Sequence, residues 1–308
     1  MKVLFIASGN HGAPSPVVQN QAEALMAEGV EIEWYLLKGK GIKGYLRNVK
    51  PLRQYSRSHK FDAIHVHYSL SAFVASLAGA KPLVVSLMGS DVKASSLYKY
   101  IIRLFARLFK WKAIIVKSGD MYKDLGIPKA VVIPNGVDIN KFYPMDKAEC
   151  QKRLGWSSEQ THILFPADKN RPEKDYALAS ASVNRLKNAV LHSFSNTPHE
   201  DTPFWYNAAD VVLLTSKWEG SPNAIKEAMA CSRPIVSTNV GDVLERMKGV
   251  DGCFVIEERS PEKIAAALST TILLTTTHGR ERIISDKLDT ENGITKLTEI
   301  YYSCLQFI

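Results

Sequence analysis

The chain has 308 residues, 45% of them hydrophobic and 23% charged, with 39 Lys and Arg against 31 Asp and Glu for a formal charge of +8. That length holds two hydrophobic cores, and a mean hydropathy of −0.11 with no apolar run of spanning length excludes both a disordered chain and a membrane-spanning one. The positive charge asks for an anionic partner, but the basic residues carry no helix-turn-helix, zinc-finger or RNP signature, which sets nucleic acid aside.

The opening run Lys2-Val3-Leu4-Phe5-Ile6-Ala7 is too short for a signal peptide and breaks at Ser8-Gly9-Asn10-His11-Gly12 as a strand breaks into a loop. Strands are expected near 2–7, 30–37, 61–67, 82–87, 112–117 and 129–134, with helices between them near 15–28, 44–59, 70–79, 95–110 and 119–125. A second set follows, with strands near 161–166, 188–194, 210–215, 234–237 and 253–256 and helices near 175–187, 200–208, 222–231, 242–248 and 261–275. This alternation predicts an α/β protein of two Rossmann-like domains with parallel sheets facing a cleft. We place the first domain at 1–145 and a compact second domain at 146–285. A terminal helix over 286–308, apolar at Ile294, Leu297, Ile300, Tyr301 and Leu305, is expected to cross back to the first.

In the first half the chemistry is sparse. Gly9 and Gly12 let backbone approach a phosphate or sugar, but Gly-Asn-His-Gly is not the dinucleotide fingerprint, so no nicotinamide cofactor is expected. His65 and His67 share one face of a strand; nothing nearby completes a metal site, and hydrogen-bonded strand-end histidines are the expectation. From Tyr98 to Lys112, Lys99, Arg103 and Arg107 recur every four residues opposite Ile101, Leu104, Phe105, Leu108 and Phe109, and Trp111 adds an interfacial aromatic. Such a helix either packs on its sheet or rests on an anionic membrane surface. The cysteines Cys150, Cys231, Cys253 and Cys304 form no C-x-x-C pair and are expected as reduced thiols of a cytoplasmic protein.

The second half is more explicit. Val211-Val212-Leu213-Leu214 reads as a buried strand, with Ser221 as N-cap and Pro222 as first residue of the next helix. Glu219 then lies in the strand-to-helix loop. The helix from Asn223 to Ala230 aims its unpaired N–H groups and positive end at the mouth of the sheet, a place suited to a diphosphate. Glu227 stands one turn inside, on the side of Asn223, where a carboxylate accepts two hydrogen bonds from a vicinal diol such as a ribose. Glu219 would reach past the phosphates to a sugar.

The run Glu219-Gly220-Ser221-Pro222-Asn223-Ala224-Ile225-Lys226-Glu227, with Arg233-Pro234-Ile235-Val236-Ser237-Thr238 and Val240-Gly241-Asp242-Val243-Leu244-Glu245 after it, resembles the E-x7-E signature and following strand of retaining nucleotide-sugar glycosyltransferases with the GT-B fold, of the family four type. Ala208-Ala209-Asp210, the segment Val131 to Asp138, Phe142, Pro144 and Gly252-Cys253-Phe254-Val255 resemble further landmarks in the same order. The resemblance implies a nucleotide-sugar donor, a glycan or lipid-linked envelope acceptor, and work at the cytoplasmic face of the membrane. It implies Glu219 as the catalytic residue orienting the donor sugar. Donor-binding residues would be Gly220, Ser221, Pro222, Asn223, Ala224 and Glu227, with Gly12 from the first domain. Arg171 and Lys174 in Asp168-Lys169-Asn170-Arg171-Pro172-Glu173-Lys174 resemble the family's phosphate clamp; the loop is one residue longer than its commonest form, so the arginine role falls to Arg171 or Lys169. His67 and Asp91 resemble acceptor-side positions, although Met88 stands where the family often has histidine. No D-x-D occurs, so no metal and no cofactor is expected. The stretch Asn184 to Asp210 lacks the further βα unit usual in the family, which predicts a trimmed second sheet. A nucleotide-sugar epimerase or hydrolase, or an inactive sugar-nucleotide-binding subunit, are the alternatives on this architecture.

Overall fold

The computed structural model describes all residues except His11, Ala94, Asn196, His199 and 306–308. The chain divides into two compact units, 1–135 with 290–308, and 136–289. Residues 136–145, which the sequence reading assigns to the first domain, and 286–289, assigned to the terminal helix, lie with the second unit.

The first unit is built on β1 (Lys2–Ser8), β2 (Glu31–Leu37), β3 (Ala63–His67), β4 (Leu83–Ser86), β5 (Ala113–Val116) and β6 (Ala130–Val132), in the order β2-β1-β3-β4-β5-β6. Every pairing is parallel. Both faces are covered, as parallel strands that are apolar throughout require. One core layer runs from Leu4 and Ile6 through Val66 and Val85 to Trp111. The other joins Val3 and Phe5 to Val18, Ala22 and Leu25 of the helix Pro16–Ala27 and to Leu297 and Tyr301 of the terminal helix Thr290–Leu305. The terminal helix therefore completes the first unit's core. The expected helix near 44–59 is two helices, Gly41–Leu46 and Val49–Ser58. At the break, the Asn48 side-chain amide donates to the carbonyls of Gly44 and Tyr45, satisfying the turn that ends the first of them.

The second unit carries β7 (Thr161–Phe165), β8 (Ala189–Ser193), β9 (Val211–Leu214), β10 (Ile235–Thr238) and β11 (Cys253–Ile256) in the order β11-β10-β9-β7-β8, again all parallel. This sheet has five strands and ends at β8, in keeping with the shortened stretch before Asp210. In each sheet the order reverses once, between β1 and β3 and between β7 and β9. At such a point neighbouring connections leave in opposite directions and open a crevice beyond the carboxyl ends of the strands. The candidate chemistry lies at both.

Candidate active site

At the second sheet's switch point two loops interlock. Thr215 donates through Oγ1 to the carbonyls of Lys174 and Asp175, each at 3.0 Å, and the Lys217 N–H donates to the Glu173 carbonyl at 2.8 Å. Thr238, at the end of β10, donates to the Ser216 carbonyl. Arg259 closes the back of the crossing: its guanidinium donates to the Thr215 and Ser216 carbonyls and pairs with Asp175 at 2.6 Å. Arg259 sits in the polar run Glu257-Glu258-Arg259-Ser260, and no local pattern in the sequence sets it apart.

This interlock brings two predicted residues together. Lys174 Nζ donates to Glu219 Oε1, and the Ser216 hydroxyl donates to the same oxygen at 2.7 Å. The side chains of Lys174 and Glu219 keep 12% and 16% of their exposure, so the pair is mostly desolvated but reachable from the loop side. Arg171 lies apart from it, exposed and paired to its neighbour Glu173 at 2.6 Å; Lys169 is exposed as well.

The helix after β9 starts one residue later than the sequence suggests. Pro222 is the N-cap, the helix is Asn223–Ala230, and no side chain caps it. Ser221, expected as the cap, turns its hydroxyl inward to Asp242 Oδ2 at 2.8 Å. The first helical amides therefore carry no side-chain cap and lie at the positive end of the dipole, where an anion can meet them. Among the described residues Asn223 Oδ1 is buried without a hydrogen-bond partner, as expected of an acceptor that meets a ligand donor. Glu227, half-buried, accepts the buried Tyr206 hydroxyl on Oε2 at 2.7 Å. Desolvation raises the Glu227 carboxyl above its ordinary range and pushes Tyr206 well above its own. Tyr206 is the second residue that sequence reasoning missed; it reads as one more aromatic in an amphipathic segment.

The first unit presents a quieter edge. Gly12 follows β1 with a φ of 85°, a conformation glycine adopts freely. At the switch point His65 is satisfied on both ring nitrogens, by Tyr301 at 2.6 Å and Ser86 at 2.8 Å. His67 departs from the expected hydrogen-bonded strand end: it is 3% exposed and its Nε2 has no partner among the described residues. Burial and then the nearby Lys117 charge lower it to about 3, so it is neutral. Asp91, fully buried, accepts the backbone N–H groups of Ser69, Met88 and Gly89 and so braces the turn after β4. The expected membrane helix is Ser96–Leu108. Trp111 is a core residue whose indole donates to Ser76, and Arg103 donates to the Asp124 and Leu125 carbonyls at the end of the helix Gly119–Leu125, so neither belongs to an interfacial face. Among the described residues no group of His, Cys, Asp or Glu has the spacing of a metal site, and no helix is long and apolar enough to cross a membrane.

Comparison with known proteins gives these features a context. Residues 13–141 match the family described as Glycosyltransferase Family 4, and residues 159–273 match that described as Glycosyl transferases group 1. The chain belongs to the family 4 type of GT-B glycosyltransferases. Among curated relatives, the putative teichuronic acid biosynthesis glycosyltransferase TuaC of Bacillus subtilis is 25% identical over 237 residues, covering 68% of this chain and 60% of the relative. The UDP-Gal:alpha-D-GlcNAc-diphosphoundecaprenol alpha-1,3-galactosyltransferase of Escherichia coli is 23% identical, covering 72% and 69%. The chain thus spans about 60–70% of the length of these two relatives. Solved structures that share the fold include the sucrose-phosphate synthase of Thermosynechococcus elongatus, with a TM-score of 0.85 at 16% identity over 98% of both chains, and Anabaena HepE in complex with UDP-glucose, with 0.75 at 18% over 98% and 100%.

Proposed function

We propose that the chain transfers a sugar, with retention of configuration and without a metal ion, from a nucleotide sugar to a glycan or lipid-linked acceptor. The observation that carries this reading is the Lys174–Glu219 pair at the mouth of the uncapped helix Asn223–Ala230. An arriving diphosphate meets the helix amides and offers Lys174 a second anion. As the bond to the sugar breaks, negative charge grows on the leaving phosphate, and fixed positive groups stabilise that state more than the bound donor. Glu219, relieved of part of its pairing, then presents a carboxylate beside the transferred sugar. Glu227, held by Tyr206 through one oxygen, takes the ribose with the other. Arg171 joins by leaving Glu173, its partner without donor. HepE was solved with UDP-glucose and the Escherichia coli relative is named for UDP-galactose, so we take the donor to be a UDP-sugar. Expected in a thermal-shift series of UDP, GDP, ADP and CDP is selective stabilisation by UDP, about 2.7 kcal/mol at 100 times its Kd. No shift with any nucleotide would remove the donor site.

We place the encounter with acceptor at the inner face of the cell membrane. The helix Ser96–Leu108 turns Leu97, Tyr100, Leu104 and Leu108 outward, with Leu97 69% and Leu108 63% exposed. The helix Gly41–Leu46, which packs on the same helix Ser69–Ala78, leaves Ile42 73% exposed. Residues 38–60 and 93–117 hold fifteen Lys and Arg and no Asp or Glu. An exposed apolar ridge on stretches rich in Lys and Arg suits anionic lipid.

A further inference from the structure

Lys226 is 1% exposed, yet an ammonium taken out of water costs several kcal/mol unless it is compensated. Its Nζ donates to Ser221 Oγ at 3.1 Å; that hydroxyl donates to Asp242 Oδ2 at 2.8 Å, and the same carboxylate oxygen accepts Arg246 Nε at 3.0 Å. Desolvation lowers Lys226 to about 8, and the Asp242 carboxylate opposes that shift. The chain Lys226–Ser221–Asp242 links the first turn of the helix Asn223–Ala230, the residue before its N-cap and the turn after β10. Gly241 adds a tight fit: it has a φ of 58°, and a Cβ there would stand 2.5 Å from the Gly220 carbonyl oxygen.

A Ser-Pro pair before a helix ordinarily starts it with the serine as N-cap and the proline as first residue, the hydroxyl accepting an amide of the first turn. Here the Ser221 hydroxyl is held from the inside: its proton goes to Asp242, Lys226 occupies one of its two lone pairs, and no side chain caps the helix. We infer that Lys226 and Asp242 are positioning residues that divert Ser221 from capping its own helix, so that the amides of Asn223, Ala224 and Ile225 remain open for an anion. An apolar residue at 226 would release the hydroxyl to those amides, and a diphosphate would then have to displace it. This inference deepens the donor reading and rests on it only for the identity of the anion.

Amide hydrogen exchange without ligand tests the device itself. Asn223–Ile225 should exchange fast in the wild type and gain about five- to tenfold protection in Lys226→Met, the strength of an ordinary cap. UDP affinity should fall by a similar factor. Adding Ser221→Ala removes the competing hydroxyl, so Lys226→Met/Ser221→Ala should recover both fast exchange and UDP affinity, a rescue that a purely structural role of Lys226 would not give. Asp242→Asn, nearly isosteric, reports the same exchange change should Lys226→Met fold poorly. Unchanged protection in Lys226→Met or, where that variant is unfolded, in Asp242→Asn overturns the proposal, as does a double variant no better than Lys226→Met. Wild-type protein that binds no nucleotide would sink the donor reading, while the exchange pattern still decides this one.

Discussion

At the scale of single residues, Glu219 and Glu227 differ in what their carboxylates already hold. Glu219 Oε1 takes Lys174 and Ser216 from the loops themselves, whereas Glu227 Oε2 takes a phenol from the unit's core. Truncating Glu227 to Ala would strand the buried Tyr206 hydroxyl and lower stability as well as affinity, so glutamine is the cleaner probe at both positions. Glu219→Gln keeps an acceptor for Lys174 but removes the charge that favours a developing oxocarbenium-like centre. We expect kcat to fall by roughly 10²-fold or more with UDP affinity changed less than about threefold, and Glu227→Gln to show the reverse split, weaker UDP and a smaller loss of kcat. Steady-state transfer with paired calorimetry measures both; equal losses at Glu219 in rate and affinity would make it a general binding residue. The two glutamates, Lys174 and the helix start were legible because each depends on local order: an apolar strand, a proline, a fixed helical spacing. Ser221's diversion, Tyr206 and Arg259 were not legible, because each is set by a contact with an element 21 to 43 residues away.

Among the elements, β8 shows how the shortened second sheet is finished. Every residue of this edge strand is only partly buried, in contrast to β9 and β10 beside it in the fold. The covering comes from aromatic stacking: Trp156 lies flat on His192 at 3.6 Å between ring centroids, and Trp205 meets Trp156 edge-on at 5.4 Å. His192 Nε2 and His162 Nδ1 share a hydrogen bond at 2.9 Å, which needs one donor and one acceptor nitrogen. Desolvation, then the neighbouring His162, lowers His192 from 6.5 to about 4. Between those values the unfolded chain binds the proton and the folded chain does not, so this group's stability contribution is complete above pH 6.5 and lost as pH falls towards 4. We expect the melting temperature to drop between pH 7 and pH 5, and the drop to shrink in His192→Gln. An identical drop in the variant would assign the acid sensitivity elsewhere. The strands were legible because parallel strands buried on both faces are continuous apolar runs, whereas the helices Lys147–Leu154 and Gly279–Ser285 were not expected. The break at Asn48 comes from a side chain that satisfies backbone carbonyls within its own turn.

Over the whole molecule, the sequence total of +8 conceals a segregation. Setting aside the fifteen cations of 38–60 and 93–117 leaves 24 Lys and Arg against 31 Asp and Glu, so the rest of the chain is acidic. A helical pattern read from sequence gives the period of an amphipathic face but not which apolar residues the fold consumes. In Ser96–Leu108 the core takes Ile102 and Ala106 and packs Phe105 on Phe73, leaving the ridge of Leu97, Tyr100, Leu104 and Leu108 outside. Arg103 is spent on a helix end, so the cations beside the ridge are Lys99, Arg107 and Lys110. Two variants therefore separate the contributions: Leu97→Ser/Leu108→Ser removes insertion, and Arg107→Glu/Lys110→Glu reverses the field. Co-sedimentation should favour phosphatidylglycerol vesicles over phosphatidylcholine, and raising the salt to about 1 M, where the screening length falls to about 3 Å, should release the protein. Each basic side chain near the surface contributes about 1 kcal/mol, so the charge-reversed variant should lose binding at least tenfold. The serine variant should lose binding even at low salt. Unaltered UDP affinity in both would show that the donor site is intact. If both variants sediment like wild type, the membrane reading fails; if the serine variant instead abolishes a concentration-dependent dimer, the ridge is covered by a second copy of the chain.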